Sequence, residues 1–351
     1  MGKMKVGIIG TGGISHLHAR SYLNNPHVEL VAACDIRPGR VEKFSEDYGI
    51  PHAFVHHRDL LALDLDAVSV CTWNDSHAEI SIDALKAKKH VLCEKPLAMS
   101  HGQAVMMQEA QQASGKLLMV GFVRRFGRNT TLVKDLIDKG VLGEIYYART
   151  SCLRRCGNPT GWFSDKGKSG GGPLIDLGVH MIDLCRYLMG KPMALRVTGV
   201  AFDNLGPRSD VKLLDRYTPM DKGGLSDVED FAGAMIRFEN GSVLHVEVSF
   251  TLHIKNDQTT CELFGTKAGA MVEPELEVIS SLEGYNVDIT PRYTKEKDVF
   301  AGNFQREIDH FTDCIINRTP CISPVEDGVE LMRILDAIYE SAKTQREVFL
   351  G

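Results

Sequence analysis

The 351-residue sequence has no apolar run long enough to cross a bilayer, no C-x-x-C pair, no internal repeat and no low-complexity segment. It also lacks an excess of basic residues: 40 Lys and Arg stand against 46 Asp and Glu, a net charge of -6. That balance excludes the basic stripe that nucleic acids and anionic membranes select. Cysteine is modest and unpatterned, with nine residues, an odd number, scattered at positions 34, 71, 93, 152, 156, 185, 261, 314 and 321. Such spacing disfavours both a secreted disulfide framework and a structural zinc site, so reduced thiols and a cytoplasmic location are expected. After Lys3 and Lys5 the apolar run Val6 to Ile9 ends at a glycine-rich turn, which is not the pattern of a signal peptide.

The remaining composition, 43% hydrophobic and 25% charged, is that of a globular protein, and the length predicts two domains. The first third alternates short buried-strand runs (Lys5–Gly10, Leu30–Cys34, Ala67–Cys71, His90–Cys93, Leu117–Gly121) with helical stretches (His16–Asn24, Gly39–Tyr48, His77–Ala87, Ser100–Ala113). This alternation predicts a parallel, doubly wound α/β sheet over residues 1–123. From 124 to 351 strand follows strand: Glu144–Leu153, Ala194–Phe202, Asp230–Glu239, Gly241–Leu252 and Gln258–Gly265. The pattern there predicts an α+β domain with a large, mostly antiparallel open sheet, with helices at Leu174–Leu188, Asn303–Ile316 and Glu326–Lys343. Too few helices are available to cover both faces of that sheet, so a homo-oligomer (dimer, tetramer or hexamer) is expected.

Val6-Gly7-Ile8-Ile9-Gly10-Thr11-Gly12-Gly13-Ile14-Ser15 leaves a strand and enters a helix. Gly10 permits the tight turn, Gly12 lets backbone approach a pyrophosphate, and Gly13 and Ile14 lead into the helix N-terminus that faces it. Ser15 takes the third small position. Asp35, 25 residues beyond Gly10, ends the second strand, where a carboxylate accepts from ribose hydroxyls and repels a 2′-phosphate. The order of strand, loop, helix, strand and acid predicts a Rossmann domain binding NAD rather than NADP. Arg37 adds an adenine or phosphate contact.

Glu94-Lys95-Pro96 follows the strand run His90–Cys93, at the kind of strand end where open α/β sheets bind ligands. The residues alone leave Lys95 either a solvated strand-end lysine or a functional one, and permit a cis Lys95–Pro96 bond. On the segment 174–188, Asp176 and His180 are four apart and so adjacent on a helix, which by spacing alone is an ordinary helical pair. Leu177, Met181, Leu184 and Leu188 form an apolar stripe, with Asp176, His180, Asp183 and Tyr187 on another face. Three glycines upstream, Gly170 to Gly172, suggest backbone crowded against a ligand.

Taken in order, Gly10-Thr11-Gly12-Gly13-Ile14, Thr72-Trp73-Asn74-Asp75-Ser76-His77, Glu94-Lys95-Pro96 and Gly170-Gly171-Gly172-Pro173-Leu174-Ile175-Asp176-Leu177-Gly178-Val179-His180 resemble the glucose–fructose oxidoreductase / inositol dehydrogenase / rhizopine catabolism family over nearly the whole chain. Trp73 departs from the family's usual proline. The resemblance implies a catalytic set of Lys95, Asp176 and His180. Thr72, Asn74, His77, Glu94 and Lys95 join the glycine loop, Asp35 and Arg37 as cofactor contacts. In the implied oxidation of a ring CH–OH, His180 is the base oriented by Asp176, and Lys95 hydrogen-bonds the reacting oxygen; a lysine base is the alternative.

The loop Arg154-Arg155-Cys156-Gly157, with Trp162 after it, offers forked donors and an indole face to a sugar, so Arg155, Trp162 and, at the domain junction, Arg124 join Lys95, Asp176 and His180 as expected substrate contacts. The same loop and the Gly-Gly-Gly-Pro-Leu-Ile-Asp run look most like the branch that oxidises glucosides at C3 to 3-keto sugars. Inositol dehydrogenation is the nearest rival, followed by an NAD-dependent glycoside hydrolase and a non-catalytic sugar sensor. His16, His18, His56 and His57 lack ligand spacing, so no metal is expected. Cys152 and Cys156 read as ordinary thiols.

Overall fold

The computed structural model describes residues 2–155, 157–208, 225–292, 294 and 297–351; Cys156 lies outside them. The chain begins β1 (Met4–Ile9), α1 (Ser15–Asn24), β2 (Val28–Cys34), α2 (Pro38–Tyr48), β3 (His52–Phe54), α3 (His57–Leu61), β4 (Ala67–Val70), α4 (His77–Lys86), β5 (His90–Glu94), α5 (His101–Ser114) and β6 (Leu118–Gly121). There follow α6 (Arg128–Asp138), β7 (Ile145–Leu153), α7 (Lys166–Ser169), α8 (Val179–Leu188), β8 (Ala194–Phe202), β9 (Phe231–Phe238), β10 (Val243–Ser249), β11 (Gln258–Gly265), β12 (Gly269–Glu273), β13 (Glu277–Leu282) and β14 (Tyr285–Ile289). Helices α9 (Val299–Ile316) and α10 (Val325–Thr344) and strand β15 (Val348–Phe349) end it. The chain divides into two units: Met1–Val123 with Asp298–Met332, and Arg124–Lys297 with Arg333–Gly351.

In the first unit a parallel sheet runs in the order β3-β2-β1-β4-β5-β6. Every residue of β4 and β6 is buried, as expected of strands covered on both faces. Local chemistry sets the helix ends. Pro38 opens α2 and Gly49, left-handed at φ +66°, closes it. Ser100 caps α5 by accepting from the Gln103 N–H at 3.3 Å.

The expected boundary placed all of 124–351 in the second domain, but residues 298–332 fold with the first unit. Helix α9 packs along α1, burying Phe304, Ile308 and Phe311. The Asn25 amide donates to Asp309 at 2.7 Å and the Gln305 amide to the Ser21 carbonyl at 3.1 Å. The segment before α10 pairs with the free edge of β6: the Val120 N–H donates to the Ser323 carbonyl at 2.9 Å, and the Ser323 hydroxyl donates back to the Val120 carbonyl. Sequence order gave no sign of this return, because the contacts join residues about two hundred positions apart.

The second unit holds a nine-stranded sheet in the order β14-β13-β12-β11-β7-β10-β9-β8-β15. Its pairings are antiparallel except that of β7 with β10. β3, β12, β13, β14 and β15 were not anticipated. β3 and β15 are two or three residues long, and β13 and β14 are largely exposed, so none carries a strong buried-strand pattern.

Candidate active site

Gly10 holds φ +91°, and a Cβ there would stand 2.6 Å from the Cys71 carbonyl oxygen, so only glycine fits where the chain leaving β1 passes the end of its neighbour β4. At Gly12 no protein atom lies within 4 Å of the position a Cβ would take, which leaves room for a ligand's approach. The Ser15 hydroxyl donates to the Gly12 carbonyl at 2.6 Å and fixes the loop at the start of α1. Asp35 is buried at the end of β2. One of its oxygens accepts from the Thr11 N–H at 2.9 Å and the Thr11 hydroxyl at 3.0 Å; the other accepts from the Arg37 N–H at 3.0 Å. The sequence-predicted loop and acid therefore meet, and the acid also orders the loop. Open backbone at a ten-residue helix N-terminus, beside a carboxylate at the second strand end, fits a dinucleotide: pyrophosphate at Gly12 to Ile14, ribose at Asp35.

At the end of β5, Lys95 is half-exposed while every other residue from Val91 to Ala98 is buried. The Lys95–Pro96 peptide is cis. Glu94 and His77, expected as cofactor contacts, are tied into the turn by their side chains. One Glu94 oxygen pairs with His18 Nε2 at 2.9 Å and the other accepts from the Lys95 N–H at 3.1 Å. Burial pushes the Glu94 carboxyl up, but the bonds from His18 and Lys95 outweigh it and hold it below its ordinary value. His77 is fully buried, its ring nitrogens 2.7 Å from the Pro96 carbonyl and 3.2 Å from that of Thr72. Desolvation lowers its pKa, against the two carbonyl acceptors, which raise it. Both residues brace the turn that presents Lys95. His18 reaches Ser69 through Nδ1 at 3.2 Å, and Ser69 meets the Tyr22 hydroxyl at 2.7 Å, a buried network that sequence inspection passed over. Asn74 is buried at the head of α4, with Thr72 half-buried before it.

In the second unit the expected single helix 174–188 opens instead with a π-helical turn, Leu174–Gly178, in which the Val179 N–H reaches back to the Leu174 carbonyl, and continues as α8. The wider turn shifts the faces, so Asp183 and Tyr187 do not share the open face of Asp176 and His180; both are buried. From Gly171 to Met189, Asp176 and His180 alone are not buried. A segment that hides every hydrophobic neighbour and leaves one carboxylate and one imidazole accessible suits acid–base chemistry.

The glycines before it are crowded by protein, not by a ligand. A Cβ on Gly172 would lie 2.1 Å from the Glu229 carbonyl oxygen, and one on Gly171 2.1 Å from the Tyr339 hydroxyl. The Glu229 carboxylate accepts from the Gly172 N–H at 2.9 Å, the Leu174 N–H at 3.1 Å and the Tyr339 hydroxyl at 2.9 Å. It therefore caps the head of the segment carrying Asp176 and His180. Glu229 and Tyr339 were missed because their partners are backbone groups far away in sequence.

The expected sugar contacts divide. Trp162 is half-buried and stacks on Phe163 at 4.0 Å between ring centres. Arg155 is exposed but turned toward the β10–β11 connection, donating to the Lys255 carbonyl at 2.6 Å while its N–H donates to Asp257 at 2.9 Å. Arg124 pairs with Glu273 at 2.6 Å. Next to it, Arg125 is buried and grips Asp183 through two bonds, 2.6 and 3.0 Å, with its guanidinium 4.8 Å from the Tyr187 ring centre. Neither arginine of the junction offers an unengaged fork.

Residues 4–122 match the pattern described as "Oxidoreductase family, NAD-binding Rossmann fold", and residues 134–350 its "C-terminal alpha/beta domain". The chain is 34% identical to D-glucoside 3-dehydrogenase of Escherichia coli (strain K12), over 99% of this chain and 97% of that protein. It is 36% identical to an inositol 2-dehydrogenase of Salmonella paratyphi B, over 97% and 95%. Among solved structures, a levoglucosan dehydrogenase complex with NADH superposes with a TM-score of 0.86 at 26% identity, covering 99% of both chains. The glycine loop, the Lys95 turn and the Asp176–His180 segment thus sit in a chain that belongs, over nearly its full length, to the glucose–fructose oxidoreductase / inositol dehydrogenase / rhizopine catabolism family of NAD-dependent sugar dehydrogenases.

Proposed function

We propose that this enzyme oxidises a secondary ring hydroxyl of a sugar, at C3 of a glucoside, to the 3-keto form. The observation that carries the reading is the burial pattern: Lys95 in one segment, and Asp176 with His180 in another, are the accessible polar groups in stretches otherwise wholly buried. NAD, when bound, supplies the hydride acceptor. His180 takes the hydroxyl proton as the carbonyl forms, Asp176 orients the imidazole, and Lys95 donates to the oxygen on which charge develops. Gly10, Gly12, Gly13, Ile14, Asp35 and Arg37 hold the dinucleotide, and Trp162 offers an apolar ring face to the sugar. Kinship to the glucoside 3-dehydrogenase supports the C3 position. Equal kinship to an inositol dehydrogenase supports a second reading, oxidation of a cyclic polyol at the same residues.

The nine-stranded sheet supports a homo-oligomer: Val200, Phe202, Met235, Ile279 and Leu282 leave apolar side chains exposed on its strands. Size-exclusion chromatography with light scattering tests it, and a monomer at micromolar concentration refutes it.

The activity test strips bound nucleotide and adds NAD with glucose, O- and C-glucosides, inositols and glucose 6-phosphate. NADH absorbance is read beside mass spectrometry of the sugar. NADH with a glucoside product two hydrogens lighter is expected. The same gain with inositols alone transfers the assignment to the second reading, and free sugar without NADH makes the protein a hydrolase.

A further inference from the structure

Eight cysteines lie among the described residues, all as free thiols, and they differ sharply in setting. Cys34, Cys71, Cys93, Cys152, Cys185 and Cys261 are buried. Desolvation pushes the Cys34 and Cys93 thiols up to about 12 and Cys71 well above its ordinary value. Such thiols are protonated, shielded and unreactive.

Cys314 and Cys321 are only half-buried. Cys314 sits in the last turn of α9, and Cys321 lies beyond that helix in a stretch without regular structure. Their sulfurs and His310 Nε2 all lie within 4.8 Å of one another. His310 Nε2 is 3.3 Å from Cys314 Sγ and accepts from the Ile322 N–H at 3.1 Å. The hydrogen bond with Cys314 is the largest influence on Cys321 and, with the contacts of His310 and the Ser323 N–H, outweighs burial to lower the Cys321 pKa, while the same bond raises that of Cys314. Cys321 is therefore the sulfur of the pair that ionises more readily.

A second pair shows what this setting adds. Cys185 and Cys261 bring their sulfurs to 3.6 Å, closer than most thiols, yet both are fully buried. Their mutual hydrogen bond and burial drive Cys261 well above its ordinary value. Proximity is common to both pairs; accessibility and a neighbouring imidazole belong to Cys314 and Cys321.

We propose that Cys314 and Cys321 form a reactive thiol pair that a hydroperoxide oxidises to a disulfide, with Cys321 the attacking sulfur. The Cys321 thiolate attacks the O–O bond, the S–O bond forms, and the leaving alkoxide or hydroxide takes a proton. The Cys314 thiol then gives up its proton and attacks the Cys321 sulfur; the S–S bond forms and water leaves. Two thiols lose two electrons and the hydroperoxide gains them, yielding alcohol or water, with water from the second step. A metal ligand set is a poorer reading of the same residues, because His310 Nε2 already accepts from the Ile322 N–H. The turn 317–320 between α9 and Cys321 has no regular structure to resist closing the sulfurs together. The disulfide would tie the end of α9 to the segment that pairs with β6 through Ser323.

The test treats the full-length protein with equimolar hydrogen peroxide, alkylates the remaining thiols and maps peptides by mass spectrometry. The expected product is a Cys314–Cys321 bridge, two hydrogens lighter, reversed by dithiothreitol, with Cys185 and Cys261 alkylated only after unfolding. Cys314→Ser stops at a Cys321 sulfenic acid that dimedone labels. Cys321→Ser reacts at least about tenfold more slowly. Oxidation appearing first at any other cysteine, including Cys156, overturns the proposal. So does peroxide resistance of the native protein, or a stoichiometric zinc ion that protects both thiols. The wild-type map decides even where a serine variant fails to fold, and none of these readouts depends on the sugar oxidised.

Discussion

Each unit holds a glutamate behind its accessible polar group, Glu229 half-buried and Glu307 fully buried, and the two are treated in opposite ways. Glu229, in the second unit, accepts three hydrogen bonds and closes the head of the segment carrying Asp176 and His180. Glu307, in the first, is fully buried on α9 and, among the described residues, neither of its oxygens has a hydrogen-bond partner. It faces Glu94, His18, Tyr22 and Cys71 instead. Burial and the neighbouring Glu94 charge push Glu307 well above the ordinary carboxylate range, while burial outweighs the three donors to push Glu229 up less. A buried carboxyl with donors is a brace; one without them, beside a second carboxylate, is a stored proton that removes one like charge from the network behind Lys95.

The strongest way to break the comparison is at the accessible groups themselves. Lys95→Ala and His180→Ala are each expected to lower kcat about 10²–10⁴-fold, with NAD affinity unchanged in His180→Ala, read by steady-state kinetics and nucleotide titration. Full turnover in either variant would remove that residue from the catalytic set. Next in size is the brace within the second unit. Arg125→Met strands Asp183 as a buried, unpaired charge and is expected to cost about 3–5 kcal/mol in urea unfolding. An unchanged midpoint would mean that Asp183 finds another partner.

The glycines sharpen the contrast between protein-filled and ligand-ready space. Gly172→Ala, which must displace Glu229, is expected to cost about 1–3 kcal/mol of stability. Gly12→Ala meets no protein atom, so it should change stability by less than about 0.5 kcal/mol while weakening NAD binding. The two effects are separable by paired melting and calorimetric titrations, and reversed outcomes would reassign the loop.

The smallest effect concerns the proton on Glu307. Because its folded pKa is raised, the unfolded chain loses that proton first as pH climbs through the ordinary carboxylate range. The contribution to stability is complete below that range and declines as pH rises toward the folded value. Glu307→Gln should therefore gain on the wild type between pH 4 and pH 8, whereas Glu229→Gln, which forfeits an acceptor, should lose at both. Parallel curves for wild type and Glu307→Gln would show that Glu307 is ionised in the folded protein.

Much of this was legible in the residues. The loop from Gly10 to Ser15 and the acid at Asp35 follow from strand period, glycine placement and spacing, all local. The Lys95 turn and the Asp176–His180 pair stood out through motif order. That Glu94 and His77 also brace the Lys95 turn was not legible, because burial and carbonyl partners are properties of the packed turn and leave no mark in the string. Arg124 and Arg155 looked like sugar ligands for the same reason: an arginine's partner is chosen by what folding brings near, here Glu273 and the Lys255 carbonyl.

The sequence by itself determined the doubly wound sheet, the strand-rich second half and the residue types available for chemistry, since hydrophobic period and turn chemistry act over a few residues. Only the tertiary structure decided that residues 298–332 return to the first unit, that the head of the 174–188 segment is a π turn, and that Glu229, Tyr339, His18 and Glu307 form the buried supports. Those outcomes depend on desolvation and on partners remote in sequence, from 51 positions away upward, and a buried polar group declares its role only once the groups that satisfy or abandon it are in place.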